Sequence, residues 1–153
     1  MYSKEQAAEI KKAFWTTYGR YMSPIPSSEG MQQNWINYHT GIKHLFFKTQ
    51  AENKKAYTGI RLTHPDAGMR SLLYEQFMQL KQLLHHALQE EWIWEEQAAD
   101  IFGKAYSHIY IERENLSIFK KEDWPDLISF FKPRIIALDI FWNEVKDSFE
   151  IFK

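Results

Sequence analysis

The spacing of apolar residues changes period along this chain, and the order of those changes restricts the folds open to it. Near the N-terminus apolar residues recur every three or four positions, which is the period of a helix face. From Gly41 the period falls to two, as a strand with two unlike faces requires. The helical period and then the alternating period each return further along the chain. The pattern predicts helix, two strands, helix, two strands, helix.

The first two predicted helices begin at residues that can bind free backbone N–H groups. Ser3 and Gln6 have the spacing of a capping box, which predicts a first helix over residues 4–22, ahead of Pro24. Asp66 is placed to cap a second helix, which we expect to run to about residue 89. These two helices therefore flank the first pair of predicted strands.

The longest apolar stripe in the chain predicts the third helix. Pro125 can occupy the first turn of a helix without loss of a hydrogen bond, so the helix can start there. Pro133 lies inside the stripe and predicts either a kink or a split into two helices. The stripe is predicted either to cover the sheet or to form a contact between two copies of the chain. Its members are Ile128, Phe131, Ile135, Leu138, Trp142, Val145, Phe149 and Phe152.

Each pair of predicted strands is joined by a short turn, which indicates two β-hairpins. The first turn is the polar segment 51–54, and the second contains Gly103. The chain has 153 residues, the usual size of one domain, so we predict a single domain over 1–153. Its fold class is α+β: an antiparallel sheet of two hairpins with three amphipathic helices, in the order α-ββ-α-ββ-α.

Alternation sorts the strand residues into two unlike faces. The expected core face is aliphatic and consists of Leu45, Phe47, Ile60, Leu62, Ile93, Ile109 and Ile111. The other face combines rings with hydrogen-bonding groups: His44, Phe46, Tyr57, Arg61, Trp92, Trp94, Tyr106, His108 and Tyr110. Such a surface suits stacking of a planar ligand or contact with a protein partner. The alternative is that a helix or a long loop covers it.

Charge and composition exclude several classes of function. The 19 Lys and Arg residues are balanced by 20 Asp and Glu, so no long-range field attracts polyanions or acidic membranes. Zero cysteines exclude disulfides, thiolate metal sites and a cysteine nucleophile. No apolar run is long enough to span a bilayer, and the N-terminus shows no signal-peptide pattern. We expect a cytoplasmic protein with no cofactor and no membrane partner.

Short motifs that carry chemistry are sparse in this chain. Segment 63–66 reads THPD and follows Arg61, so His64, Asp66 and Arg61 could form an anion site or a proton-transfer pair. The alternative is that Pro65 ends a strand and Asp66 only caps the next helix. The six histidines lack the spacing of metal ligands, so we predict no metal site. No nucleophile elbow, phosphate loop, dinucleotide fingerprint or zincin motif is present.

Four segments resemble an uncharacterised bacterial family, number 4268 among the domains of unknown function. They are residues 41–47 (GIKHLFF), 63–66 (THPD), 123–125 (DWP) and 130–135 (FFKPRI), and the likeness covers nearly the whole chain. The family includes small stand-alone Bacteroidetes-type proteins, and similar domains lie at the ends of longer proteins, some of which have nuclease-like parts. The resemblance therefore suggests a restriction-endonuclease-like arrangement of Asp and Glu-x-Lys around magnesium. The second strand instead carries Thr58, Gly59, Ile60 and Arg61, which supplies no carboxylate for the metal.

We predict that the chain is a non-catalytic binding or protein-interaction module that uses its aromatic sheet face. Its candidate partners are a small planar ligand, another protein or a second copy of itself as a homodimer. The alternative function is a degenerate or divergent restriction-endonuclease-like protein that acts on nucleic acid, so enzyme activity is left open and no catalytic residue is assigned. The candidate ligand-binding residues are His44, Arg61, His64, Asp66, Trp94, His108 and Tyr110.

Overall fold

The structure is a computed structural model that describes residues 2–153, and it confirms an α+β fold with one antiparallel sheet. The helices formed by these residues are α1 (Lys4–Met22), α2 (Ala67–Gln79), α3 (Lys81–Leu88) and α4 (Trp124–Val145). The strands are β1 (Leu45–Ala51), β2 (Lys55–Leu62), β3 (Ile93–Ala99) and β4 (Ala105–Glu114). Two 3-10 turns, Lys121–Asp123 and Lys146–Phe152, flank α4.

Both predicted helix starts are confirmed by their capping bonds. The Gln6 backbone N–H donates to Ser3 Oγ at 3.1 Å, and the Ser3 N–H donates to Gln6 Oε1 at 2.9 Å. At α2, the Met69 N–H donates to Asp66 Oδ2 at 2.8 Å. These bonds satisfy donors that the first turn of a helix leaves free.

The second predicted helix is wrong in one respect, because residues 67–88 form two helices and not one. The backbone leaves the helical region at Leu80, where φ is −102° and ψ is 11°. The sequence hides this break because Phe77, Leu80 and Leu84 keep helical spacing across it, and all three pack into or against the core. Both helices therefore show one continuous apolar pattern.

The third predicted helix is a single element of 22 residues, so Pro133 does not split it. The helix buries most of its apolar stripe against the rest of the chain; Trp142, for example, meets Phe47 edge to face at 5.8 Å. Of the two predicted roles of the stripe, covering the sheet is the one observed. No helix within residues 2–153 combines the length and apolar character needed to cross a membrane.

The two hairpins join through β2 and β4 into one sheet with the order β1-β2-β4-β3, antiparallel throughout. The register places Phe47, Ile60, Ile109 and Trp94 in one row across the four strands. α4 packs against β1 and β2, and α2 packs against β2 and β4. We call the side that these helices cover the core face.

Candidate functional site

The opposite side of the sheet, which we call the aromatic face, carries most of the rings that the sequence assigned to it. One row across the four strands consists of Phe46, Arg61, His108 and Glu95. Side chains two residues apart along a strand share a face, so the neighbouring positions belong to the same surface. Its members include Phe46 and Lys48 on β1, Tyr57 and Arg61 on β2, Tyr106, His108, Tyr110 and Glu112 on β4, and Ile93 and Glu95 on β3.

His108 lies at the centre of a cluster of rings on the aromatic face. Its imidazole stacks on Tyr110 with centroids 4.1 Å apart and planes 15° from parallel. Tyr57 and Tyr106 meet the same imidazole edge to face, at 5.5 and 5.6 Å. Each ring pair among these four residues lies within the aromatic face, so they form a self-contained layer on β2 and β4.

Arg61 supplies the cation of this layer. Its guanidinium lies 4.5 Å from the Tyr106 ring centroid, and its Nη2 donates to the Tyr57 hydroxyl at 2.9 Å. Its Nε is buried without a hydrogen-bond partner, and within residues 2–153 no carboxylate pairs with Arg61. Burial raises the pKa of the Tyr57 hydroxyl and the nearby guanidinium opposes that shift, so Tyr57 stays a neutral phenol at physiological pH.

His108 is a neutral base inside the ring cluster. Burial, and then the positive charge of Arg61, lowers its pKa to about 3 from the ordinary 6.5. Only 4% of the residue is exposed, and its Nε2 has no hydrogen-bond partner among the described residues. A buried, unpartnered ring nitrogen is uncommon, because an unmade hydrogen bond costs free energy.

The rim of the aromatic face is open while its centre is shielded by its own rings. Phe46 is 39% exposed and Ile93 is 46% exposed, whereas Tyr57, Tyr106 and Tyr110 are half-buried. Among residues 2–153, the ring contacts and the cation–π contacts of this cluster all stay within the aromatic face. The core face differs in that its rings pack against α2 and α4.

Gly59 on β2 is what lets Tyr110 of β4 come so close. A Cβ at Gly59 would lie 2.4 Å from the Ile109 carbonyl oxygen and 2.6 Å from the Tyr110 Cβ, nearer than such atoms approach. Gly59 and Tyr110 are directly paired in the register. A glycine within a strand often marks such a close approach, so Gly59 was a sign of this site that could be read in the sequence.

The assignment of β3 to the two faces was wrong. Trp94 pairs with Ile109 and Ile93 pairs with Tyr110, so Trp94 lies on the core face and Ile93 on the aromatic face. Trp94 packs edge to face on Tyr74, with centroids 5.9 Å apart. Trp92 is 8% exposed and has the parity of Trp94. The two sets of β3 residues were exchanged, because alternation within a strand separates two sets of residues but does not tell which set faces the core.

His44, His64 and Asp66 lie together at the end of the β1–β2 hairpin, apart from the ring cluster. The rings of His44 and His64 meet edge to face at 4.9 Å. His64 Nδ1 accepts the Asp66 N–H at 3.0 Å, and Arg70 donates to the His64 carbonyl at 2.8 Å. Asp66 Oδ2 also accepts the Met69 N–H, which matches the capping alternative for segment 63–66, whereas Arg61 contacts Tyr57 and Tyr106. In residues 2–153 no three His, Asp or Glu side chains are placed to hold a metal ion.

Comparison with known proteins bears on the resemblance found in the sequence. The model of the family described as "Domain of unknown function (DUF4268)" matches residues 10–146. The chain belongs to this family. No curated protein and no solved structure matches the chain. The DUF4268 match includes both hairpins and therefore every residue of the aromatic face.

The sequence did not predict two features of this DUF4268 domain, a cleft and an ion pair beside it. A cleft of about 360 Å³ lies between α3 and β3, and Lys81, His85, Glu91, Trp92 and Trp94 are among its lining residues. Glu90 is held there by Arg134, with Nε to Oε1 at 2.7 Å and Nη2 to Oε2 at 3.0 Å. Glu90 and Glu91 are adjacent in the sequence, which does not reveal the partner of Glu90, because Arg134 is remote in the chain.

Proposed function

We propose that this protein is a non-catalytic binding module and that a small planar ligand stacks on its aromatic face. The observation that carries the proposal is the layer of rings around His108 and Arg61, which lies on the side of the sheet away from α2 and α4. Rings on a sheet face are general stacking platforms for planar groups.

The dimensions and charge of the aromatic face favour a small ring system over a polymer or a broad protein partner. Its rings lie on β1, β2 and β4, which together span about 10 Å at the usual spacing of strands. The net charge of −1 and the exposed Glu95 give no broad attraction for a nucleic-acid backbone. The nuclease alternative gains no support from the geometry, because Asp66 caps α2, His64 Nδ1 accepts the Asp66 N–H, and Arg61 contacts the tyrosines instead.

The cellular setting belongs to the proposal as well. We place the protein in the bacterial cytoplasm, on the basis of its composition and of the family that it resembles. A homodimer also stays a prediction. The apolar stripe of α4 that suggested it is buried within the chain, so the stripe gives a dimer no support.

The test is calorimetric titration with naphthamide, which is planar and neutral, and with its saturated decalin analogue, which has a similar size but no flat ring. We expect naphthamide to bind more tightly, because only a flat ring can stack. Phe46→Ala and Tyr106→Ala should each weaken naphthamide binding roughly tenfold, the size expected for one lost stacking partner.

Tyr21→Ala is the matched control, because Tyr21 is a half-exposed tyrosine on α1, away from the sheet. It should leave naphthamide binding unchanged. Equal binding of the two probes, or unchanged naphthamide binding in both ring variants, would contradict the proposal.

A further inference from the structure

Two cations of the aromatic face, Arg61 and Lys48, are neighbours of its most exposed ring, Phe46. Arg61 is the cross-strand neighbour of Phe46, and Lys48 follows Phe46 by two residues with its Nζ 4.9 Å from the ring centroid. Neither cation pairs with a carboxylate among the described residues. Phe46 therefore presents a partly exposed ring with the Lys48 ammonium over it and Arg61 on the neighbouring strand, and neither charge is neutralised.

Arg61 has hydrogen-bonding capacity to spare. A guanidinium carries five N–H donors, and the hydrogen bond to the Tyr57 hydroxyl uses one of them. The residue is half-buried, and a partly desolvated cation without a counter-ion is costly. The Tyr106 ring offsets part of that cost. Tyr106 and Tyr57 also hold the guanidinium in place, which lowers the entropy lost when it binds an anion.

The charges of the aromatic face are divided between its two halves. Lys48 and Arg61 lie on β1 and β2, whereas Glu95 lies on β3 at the far edge. Glu112 on β4 is 3.4 Å from Lys55 and so has its own counter-ion. His108, which lies between the halves, is neutral at physiological pH. A ligand with one negative group would thus be oriented with that group toward β1 and β2.

We propose that the ligand of the aromatic face is a planar ring bearing an oxyanion, a carboxylate or a phosphate, which Arg61 binds while the ring stacks on Phe46. This inference rests on the proposed function and adds the charge and orientation of the ligand. Arg61 is the main determinant, because its planar fork of donors matches an oxyanion. Lys48 contributes a second, more mobile charge.

The test compares three probes that share one ring system: naphthoate, naphthyl phosphate and neutral naphthamide. Wild-type protein should bind both anions roughly 10- to 100-fold more tightly than the amide, the range expected for a charge-assisted hydrogen-bonded pair. The ratio of the two anion affinities then identifies the preferred oxyanion. Arg61→Gln should abolish the preference for anions, measured as the ratio of the naphthoate or naphthyl phosphate affinity to the naphthamide affinity of the same variant.

Two further variants and a salt titration guard against effects on folding. Arg61→Lys should keep part of the preference, because it retains the charge but not the fork of donors. Arg20→Gln, on exposed α1 surface, is the matched control and should change nothing. In wild-type protein the preference for anions should shrink as salt concentration rises, which needs no variant.

The outcomes separate this inference from the proposed function. If naphthamide binds through Phe46 but the anions bind no better, the oxyanion inference fails and the binding module stands. The same holds if Arg61→Gln folds and keeps the full preference. If none of the three probes binds, the proposed function fails and the inference falls with it.

Discussion

The two faces of the sheet use aromatic residues in opposite ways, and the adjacent residues Phe46 and Phe47 show this most simply. Phe47 is 3% exposed and packs between Tyr38 and Trp142, with ring centroids 4.9 and 5.8 Å away. Phe46 is 39% exposed and has Lys48 over its ring at 4.9 Å. The same side chain thus serves the core in one position and an open surface in the next.

The difference teaches how to recognise a working surface in a sheet that is aromatic on both sides. On the core face the rings meet helix residues, and the polar groups of Tyr38 and Trp142 find partners. On the aromatic face the rings meet one another, while Arg61 Nε and His108 Nε2 have no partner in residues 2–153. Thr58 Oγ1 on the core face also has no partner in that range, so missing hydrogen bonds alone do not distinguish the two faces. A partly exposed ring beside unneutralised cations is what marks the aromatic face as a surface for a ligand.

The largest expected effect comes from truncating the two phenylalanines separately. Phe47→Ala should lower the free energy of unfolding by about 3–5 kcal/mol, because it leaves a cavity in the core. Phe46→Ala should lower it by less than about 1 kcal/mol, since the ring is already partly in water. Urea unfolding measures both. Similar losses for the two variants would contradict the assignment of the faces.

A smaller effect is expected where the two strands approach at Gly59. Gly59→Ala should destabilise the protein by about 1–3 kcal/mol, because the added methyl group overlaps the Ile109 carbonyl and the Tyr110 side chain. NMR signals of the Tyr110 and His108 rings should move. Gly68→Ala is the control, since a Cβ there has Asp66 Oδ2 at 3.2 Å as its nearest contact. Equal stability of Gly59→Ala and wild type would show that the strands have room to separate.

The titration of His108 gives an effect of roughly 1 kcal/mol. The pKa of His108 is about 3 in the folded protein and about 6.5 in the unfolded chain. Between about pH 3 and pH 6.5 the imidazole is therefore protonated in the unfolded chain and neutral in the folded protein. Stability should therefore fall as the pH falls below 6.5, by roughly 1 kcal/mol between pH 7.5 and pH 5.5.

Urea unfolding at several pH values checks this against His108→Phe, which keeps a ring to stack on Tyr110 but cannot titrate. The stability of the variant should depend less on pH than that of wild type over the same interval. Parallel curves for the two proteins would mean that His108 takes up its proton normally in the folded state.

The smallest effect on stability is expected at Lys48. Lys48→Gln should change the free energy of unfolding by less than about 0.5 kcal/mol, because the side chain has no ion pair to lose. It should still weaken naphthoate binding several-fold, and weaken it more than naphthamide binding. An unchanged affinity for naphthoate would restrict anion binding to Arg61.

Features of the fold that depend on local residues were predicted from the sequence, whereas features that depend on pairing between distant strands were not. The caps at Ser3 and Asp66 and the alternation in the hairpins depend on residues close in the chain, and all were predicted. The faces of β3 depend on its register with β4, which also shifts between Glu95 and Ala98. The sequence could not show that register, so Trp94 was assigned to the wrong face.

The candidate site was predictable to a similar extent. Tyr57, Arg61, Tyr106, His108 and Tyr110 were grouped correctly by parity alone. Their relations, such as the guanidinium over Tyr106, depend on which strands are neighbours, and two hairpins can join in more than one order. Lys48 has the parity of Phe46 and could have been included on that ground.

The most direct test of the two-face account is NMR mapping of naphthoate on the wild-type protein. We predict that the largest shift changes occur at the rings of Phe46, Tyr57 and Tyr106 and at the Arg61 side chain, with the Trp92 and Trp94 indoles unaffected. Changes centred on those two indoles would instead place the ligand in the cleft between α3 and β3, on the other side of the sheet. That result would contradict the account.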